Sequence, residues 1–351
     1  PPAGFLALCT SNLSDPEIKL PAAHFNTVLY TGNASTNAIT GVGFQPDFVW
    51  AKDRAANYHG LWDAVRGVNK VLYSNETTAE TESATTGLAS FDSDGFTLGA
   101  NTTWNNSENS LVSWNWKGGG TAVSNTDGTI TSSVSANPTA GFSIVKYSGN
   151  ATSGATVGHG LSVAPTFISV KNLTDVINWF NGMPFFSNGW SDWMHWNKTD
   201  EQGNNSANSW NSTAPTASVF SLGNQTSTNG TSKDYIAYCF QSVEGYSKVG
   251  SYKGNSNANG SFIYLGFRPA WVMIKRYDAS NNWALRDNKR DPYNVTDHLL
   301  MVDNNNAESL ENDLDFVSNG MKMRENAATI NQGDYMYLAF AEFPFKYSNA
   351  R

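Results

Sequence analysis

Apolar residues in this chain come in short runs that alternate with polar ones, as in FNTVLY from Phe25, FSIVKY from Phe142 and WVMIK from Trp271. The runs are rich in Val, Ile, Tyr, Phe and Trp. Gly-Asn, Asp-Gly or Asn-Gly pairs break them roughly every 8 to 15 residues, the spacing of antiparallel strands joined by tight turns. Each strand then turns one face to a core and the other to water, which predicts a sandwich or jelly roll. Helical stripes are scarce. The best stretch, Ala-Glu-Ser-Leu-Glu-Asn from Ala307, predicts a single turn.

The pattern repeats along the chain, and repeats fix architecture before any motif does. Each of three copies opens on a strand and a Gly-Asn turn: FNTVLYTGN ending at Asn33, FSIVKYSGN at Asn150 and SKVGSYKGN at Asn255. This places Tyr30, Tyr147 and Tyr252 at equivalent positions. A glycine, a proline and an alternating strand follow, in GFQPDFVWAK from Gly43, GLSVAPTFISVK from Gly160 and GFRPAWVMIK from Gly266, ending on Lys52, Lys171 and Lys275. Next come VLYSNETTAE from Val71, the WMHWNKTDEQ run from Trp193 and LLMVDNNNAE from Leu299, then GFTLG, VFSLG and GMKM. Apolar strands close the copies: LVSWNW from Leu111, YIAYCF from Tyr235 and YLAF from Tyr337.

The expected fold is therefore all-β: three tandem antiparallel β-sandwich, jelly-roll-like domains over residues 25–120, 121–246 and 247–351, behind an extended N-terminal arm of residues 1–24. KGGGTAVSNTDGT from Lys117 reads as a flexible linker. The second boundary, at Glu244-Gly245-Tyr246, has no such stretch, so copies two and three should form the stiffer pair. The arm is flanked by prolines yet carries Phe5, Leu6, Leu8, Ile18 and Leu20, each worth roughly 1.5 to 3 kcal/mol if buried. It should dock, either on its own first copy or by strand addition to a neighbouring subunit, and these residues are candidate assembly contacts.

Composition narrows the function. Only 15% of residues are charged while 40% are hydrophobic, a polar, uncharged exterior over real cores that suits extracellular and virion proteins. A net charge of -8 disfavours nucleic acid and acidic membrane surfaces as partners. No apolar run is long enough to span a membrane as a helix. The chain opens on Pro1, as a processed or excised product would. Cys9 and Cys239 form no disulfide framework and no CxxC zinc pair.

Candidate chemistry is sparse. The histidines His24, His59, His159, His195 and His298 share no metal-ligand or acid-base spacing across the copies. FDSDGF offers Asp92 and Asp94 to calcium, but the other copies lack both acids there, so a tight turn is expected and no metal. No cofactor motif occurs, and no catalytic residue is singled out. Two recognition features remain. Trp190 and Trp193 lie in a tryptophan-rich stretch that could stack on sugar rings; Trp190, after Asn188-Gly189, is expected to be exposed, whereas Trp196 aligns with Tyr73 and Val302 in an ordinary strand. Asn-x-Ser/Thr sequons at Asn33, Asn75, Asn101, Asn150, Asn197, Asn224 and Asn294 could carry glycans if a glycosylating cell secreted the chain.

WDAVRGVNKVLYSN, FDSDGFTLG, VGHGLSVAPTFISVKN, SVFSLG, GFRPAWVMIKR and YLAFAEFPFKYSNAR together resemble an uncharacterised domain family found in tandem in tail and fibre proteins of phages from aquatic bacteria. The resemblance implies an extracellular, virion-associated structural role and brings no catalytic residues. Expected partners are further copies of the chain, other virion proteins and host-surface glycan. The expected function is a non-enzymatic structural subunit of a fibrous assembly, with a carbohydrate-binding adhesin as the alternative and a glycan depolymerase behind it.

Overall fold

In the computed structural model, which describes residues 9–83, 86–204 and 207–348, the named strands pair antiparallel throughout. The first copy contributes β1 (Phe25–Thr31), β2 (Asn37–Thr40), β3 (Phe48–Asp53), β4 (Gly60–Asp63), β5 (Lys70–Val71), β6 (Thr81–Glu82), β7 (Leu88–Asp92), β8 (Gly95–Leu98) and β9 (Ser110–Trp116). In the second lie β10 (Val123–Asn125), β11 (Ser132–Asn137), β12 (Phe142–Ser148), β13 (Ala155–Gly158), β14 (Phe167–Asn172), β15 (Phe180–Gly182), β16 (Asp192–Trp193), β17 (Gly203–Asn204), β18 (Val219–Leu222) and β19 (Asp234–Phe240). The third holds β20 (Ser247–Lys253), β21 (Phe262–Tyr264), β22 (Phe267–Arg276), β23 (Trp283–Asp287), β24 (Thr296–Met301), β25 (Ser309–Val317), β26 (Gly320–Met323) and β27 (Asp334–Pro344).

One strand order recurs: β1-β9-β3-β4, then β12-β19-β14-β15, then β20-β27-β22-β23. Register recurs with it. Phe25 and Phe48 flank Trp116, Phe142 and Phe167 flank Phe240, and Ser247 and Trp271 flank Phe340. A second set of strands pairs as β2-β8-β7 and as β13-β18. In the third copy the sheet runs on from β23 through β24, β25 and β26 to β21, eight strands curled nearly into a barrel.

Strands β3 and β14 are buried along their whole length because both of their faces are covered. One face packs within the copy, as Val49 and Ala51 do with Phe96 and Leu98, and Val272 and Ile274 with Met321 and Met323. The other face meets a common core that all three copies build, including Phe48, Trp50 and Trp116, Phe167 and Phe240, and Trp271 and Phe340. In that core the rings of Trp116, Phe240 and Phe340, one from the same place in each copy, touch one another, with centroids 6.4, 5.6 and 6.1 Å apart. Apolar character on both faces of the central strands is thus what lets three copies share one interior.

The recurring Tyr-x-Gly-Asn turn has a physical cause. Tyr30, Tyr147 and Tyr252 donate their hydroxyls to the carbonyls of Trp104, Thr228 and Ile330 at 2.9, 2.7 and 2.6 Å. The backbone N–H of Asn33, Asn150 and Asn255 donates to the buried side chains of Asn105, Asn229 and Asn331. A Cβ on Gly32 would lie 2.0 Å from the Asn106 carbonyl oxygen, and one on Gly149 2.5 Å from that of Gly230, so only glycine lets the backbones approach.

Three expectations are corrected here. Residues from Lys117 are not a free linker. Gly119 N–H donates to Ser135 Oγ at 2.9 Å, Gly120 N–H to Asp47 at 3.2 Å, and a Cβ on Gly119 would lie 2.3 Å from the Ala136 carbonyl oxygen. Those glycines serve close approach, which composition cannot tell from flexibility. Copies two and three are not a separate stiff pair, since the common core ties all three. The stretch from Ala307 is not helical but enters β25, where Leu314 and Phe316 alternate inward. Of the arm, Ile18 is buried in the common core while Leu20 is 60% exposed, and Phe5, Leu6 and Leu8 lie outside the described residues. Lys346 donates to the Leu13 carbonyl and to Asp15, and Tyr347 donates to Asp15, so the described arm docks on the far end of its own chain rather than on copy one alone. Among the described residues no helix is long and apolar enough to cross a membrane.

Candidate functional site

The positions where one copy meets the next form the most highly organised polar constellation in the molecule, and they match across the three seams. Backbone N–H groups of Glu80, Gln202 and Glu308 donate to the carbonyls of Leu173, Tyr277 and Arg54, each in another copy. Trp179 and Trp283 send Nε1–H to the carbonyls of Tyr73 and His195 at 2.8 and 2.9 Å. In the third seam His59 takes the same place. Its Nδ1 accepts from Trp50 Nε1, so Nε2 carries the proton and donates to the Met301 carbonyl at 2.9 Å, and burial holds the ring neutral. These contacts show that Tyr73, His195 and Met301 are equivalent, so Trp196 stands opposite Val302, as expected, but opposite Ser74 rather than Tyr73.

The lysines next to last in β3, β14 and β22 act as staples. Lys52 donates to the Ala56 carbonyl and, across the seam, to that of Asn306. Likewise Lys171 reaches Ile177 and Thr77, and Lys275 reaches Asn281 and Thr199. Burial pushes these amines down to about 8, 7 and 8. Carbonyl acceptors from two copies compensate part of the cost of a desolvated ammonium.

A second layer distinguishes the seams. Between copies one and two, Asp63 accepts from Arg66 Nε at 2.5 Å and from the Tyr238 hydroxyl at 2.9 Å, with Glu80 beside Arg66. Copies three and one repeat the arrangement, with Asp287 accepting from Arg290 at 2.6 Å and from Trp114 Nε1 at 3.0 Å. There Glu308 also receives Arg290 at 2.9 Å and Arg54 from the other copy. Burial pushes the Glu308 carboxyl up, but those two guanidinium groups prevail and hold it below its ordinary value. Between copies two and three the corresponding residues are Met183, Phe186, Gln202 and Leu338, and Phe186 packs edge-on against Tyr277 at 6.0 Å. Sequence reading missed these groups, although DAVR at Asp63 and DNKR at Asp287 share spacing and lie at similar distances past the staple lysines.

The residues singled out for recognition fare differently. Trp190 is buried, 7% exposed, edge-on to Trp210 at 5.7 Å, which corrects its expected exposure. A Cβ on Gly182 would lie 2.6 Å from the Trp190 ring and 2.7 Å from that of Trp210, so a glycine in β15 makes the space that takes both. Trp193 is half-buried over His195 at 4.4 Å. Asn33, Asn150 and Asn224 are exposed, Asn101, Asn197 and Asn294 half-buried, and Asn75 is buried and accepts the His59 N–H, which leaves no room for a glycan there. Asp94 is occupied by the N–H groups of Gly41 and Gly43, and Asp92 by the hydroxyls of Ser90 and Thr97, so the loop is a closed turn. Asp291, Asp297 and His298 stand close enough to share a cation, but His298 Nδ1 already bonds Asp291 at 2.5 Å.

These features define an antiparallel all-β chain closed on itself by three matching seams. The family model that matches is that of a domain of unknown function (DUF7483), over residues 20–344, and the chain belongs to that family. The match runs through all three copies. No curated protein and no solved structure matches the chain.

Proposed function

We propose that this chain is a non-enzymatic structural module of an extracellular fibrous assembly, a phage tail or tail fibre being the best fit, in which three jelly-roll-like sandwich units act as one rigid block. The observation that carries this reading is the use to which the buried charges are put. Lysine, Asp-Arg and Glu-Arg groups that could serve catalysis are bonded across or along the seams. Such an interface, made by two different surfaces, propagates head to tail unless its rotation closes, and here it closes after three copies. Closure in one chain gives a block that needs no partner to complete its core, the property a load-bearing segment requires. The uncharged Asn-, Ser- and Thr-rich exterior and the resemblance to tail and fibre proteins point the same way.

Purified particles provide the test. If the reading holds, mass spectrometry of intact virions from a producing strain finds this chain at fixed stoichiometry, and immunogold labelling places it on the tail. Finding it only in the cell lysate, absent from particles and from any extracellular filament, contradicts the reading.

A further inference from the structure

The three copies act as internal controls for one another, and one departure has no role in any seam. On the short strand that opens the second sheet, Ile39, Val157 and Ile263 point inward and pair with Phe96, Phe220 and Met321. Their outward neighbours are Ala38 and Thr40 in copy one and Thr156 and Gly158 in copy two. Copy three has Phe262 and Tyr264 there, 50% and 57% exposed. The template is satisfied by small residues at both places, so nothing in the fold calls for two half-exposed rings. Exposed aromatic side chains at paired outward positions mark recognition.

Tyr264 lines a cavity of about 720 Å³, within the range of small-ligand sites. Its floor is glycine: Gly266 and Gly245 have φ of 86° and 75°, and a Cβ on Gly266 would come 3.6 Å from the Tyr264 hydroxyl. The docked arm lines it through Pro16 and Glu17, and Phe345 lines it too. Polar groups ring the opening. Lys248 donates to the Tyr264 carbonyl at 2.9 Å with its ammonium 5.4 Å from the ring centroid, and Glu17 and Glu244 are exposed carboxylates without a hydrogen bond to any described residue.

We propose that this cavity is a glycan-binding site, with the Tyr264 ring as the stacking platform for a sugar face and Glu17 and Glu244 as acceptors for its hydroxyl groups. The apolar C–H face of a pyranose packs on an aromatic ring, while its equatorial hydroxyls need acceptors at the rim, and the cavity supplies both. Strand addition along β21 fits less well. Lys248 already occupies the Tyr264 carbonyl, the blunting that keeps an edge from pairing. The site depends on the arm being docked but not on the role proposed for the whole chain.

The test gives copy three the residues of copy one, Phe262→Ala with Tyr264→Thr, and probes the full chain with an array of neutral hexose and N-acetylhexosamine oligosaccharides. The intact chain is expected to bind at least one of them. The double variant should lose about tenfold or more of that affinity, in line with the worth of a single aromatic stack. Tyr264→Phe keeps the ring and should stay within about twofold, which separates stacking from misfolding. Trp193→Ala, in the stretch that sequence favoured, should leave binding unchanged. No binding by the intact chain, or binding that survives the double variant, overturns the proposal; light scattering reports the assembly state independently.

Discussion

Two of the seams and the third occupy the same places on one template, yet they are filled with opposite chemistry. Where copy one meets copy two, and copy three meets copy one, an aspartate and an arginine three residues later sit fully buried with an aromatic donor from the neighbour. At the junction of copies two and three the aspartate is Met183, the arginine Phe186, and the donor Leu338. No seam mixes the sets. A buried ion pair replaced whole by apolar residues is close to neutral, whereas one charge left alone is severely destabilising. The seams therefore behave as all-or-none units, and the internal repeat displays both solutions in one molecule.

The largest effect should come from breaking that rule. Arg290→Met leaves Asp287 buried without its guanidinium and Glu308 with Arg54 alone, and should cost about 3 to 5 kcal/mol in urea unfolding. Phe186→Arg, which puts a lone charge into the apolar seam, should be of similar size. Copying the apolar solution whole, with Asp63→Met, Arg66→Phe, Glu80→Gln and Tyr238→Leu together, should instead fall between neutral and about 4 kcal/mol more stable. A loss as large as that of Arg290→Met would break the comparison.

Acid should separate the seams next. Glu308 titrates below its ordinary value in the folded chain, so its contribution is present above about pH 4.5 and is lost as pH falls through the lower folded value. Thermal melts between pH 5 and 3 should show wild type losing more than a Glu308→Gln variant does. The alkaline effect is common to every seam. With Lys52, Lys171 and Lys275 held near 8, 7 and 8 against 10.5 when unfolded, the unfolded chain binds more protons between about pH 7 and 10. Stability should therefore rise with pH across that window, and Lys171→Met should flatten the lower part of the slope.

Much of this was legible in the residues. Alternation located β1, β12 and β20, and the Tyr-x-Gly-Asn turns marked their ends, because each needs an inward ring and a glycine at a close approach. The staple lysines were visible as strand-ending residues, but not their partners, since Asn306, Thr77 and Thr199 lie in other copies. Burial of Trp190 was hidden because the room for it comes from Gly182 in β15, whereas Trp190 lies outside the strands. The triple glycine after Lys117 misled for a related reason: a glycine that admits a neighbouring backbone and one that loosens a chain look alike in sequence. Aromatic residues at Phe262 and Tyr264 stand out only once the register identifies their counterparts as Ala38 and Thr40.

Ring closure by the seams is tested most directly by cutting the chain between copies one and two. A protease site at exposed Thr121 would split the folded protein into two pieces joined by no peptide bond, leaving both polar seams, the common core and the docked arm to hold them. If the seams close the ring as described, the nicked protein stays at the intact mass of 38.1 kDa in size-exclusion light scattering and separates only in denaturant. Dissociation of the two pieces in native buffer would contradict it.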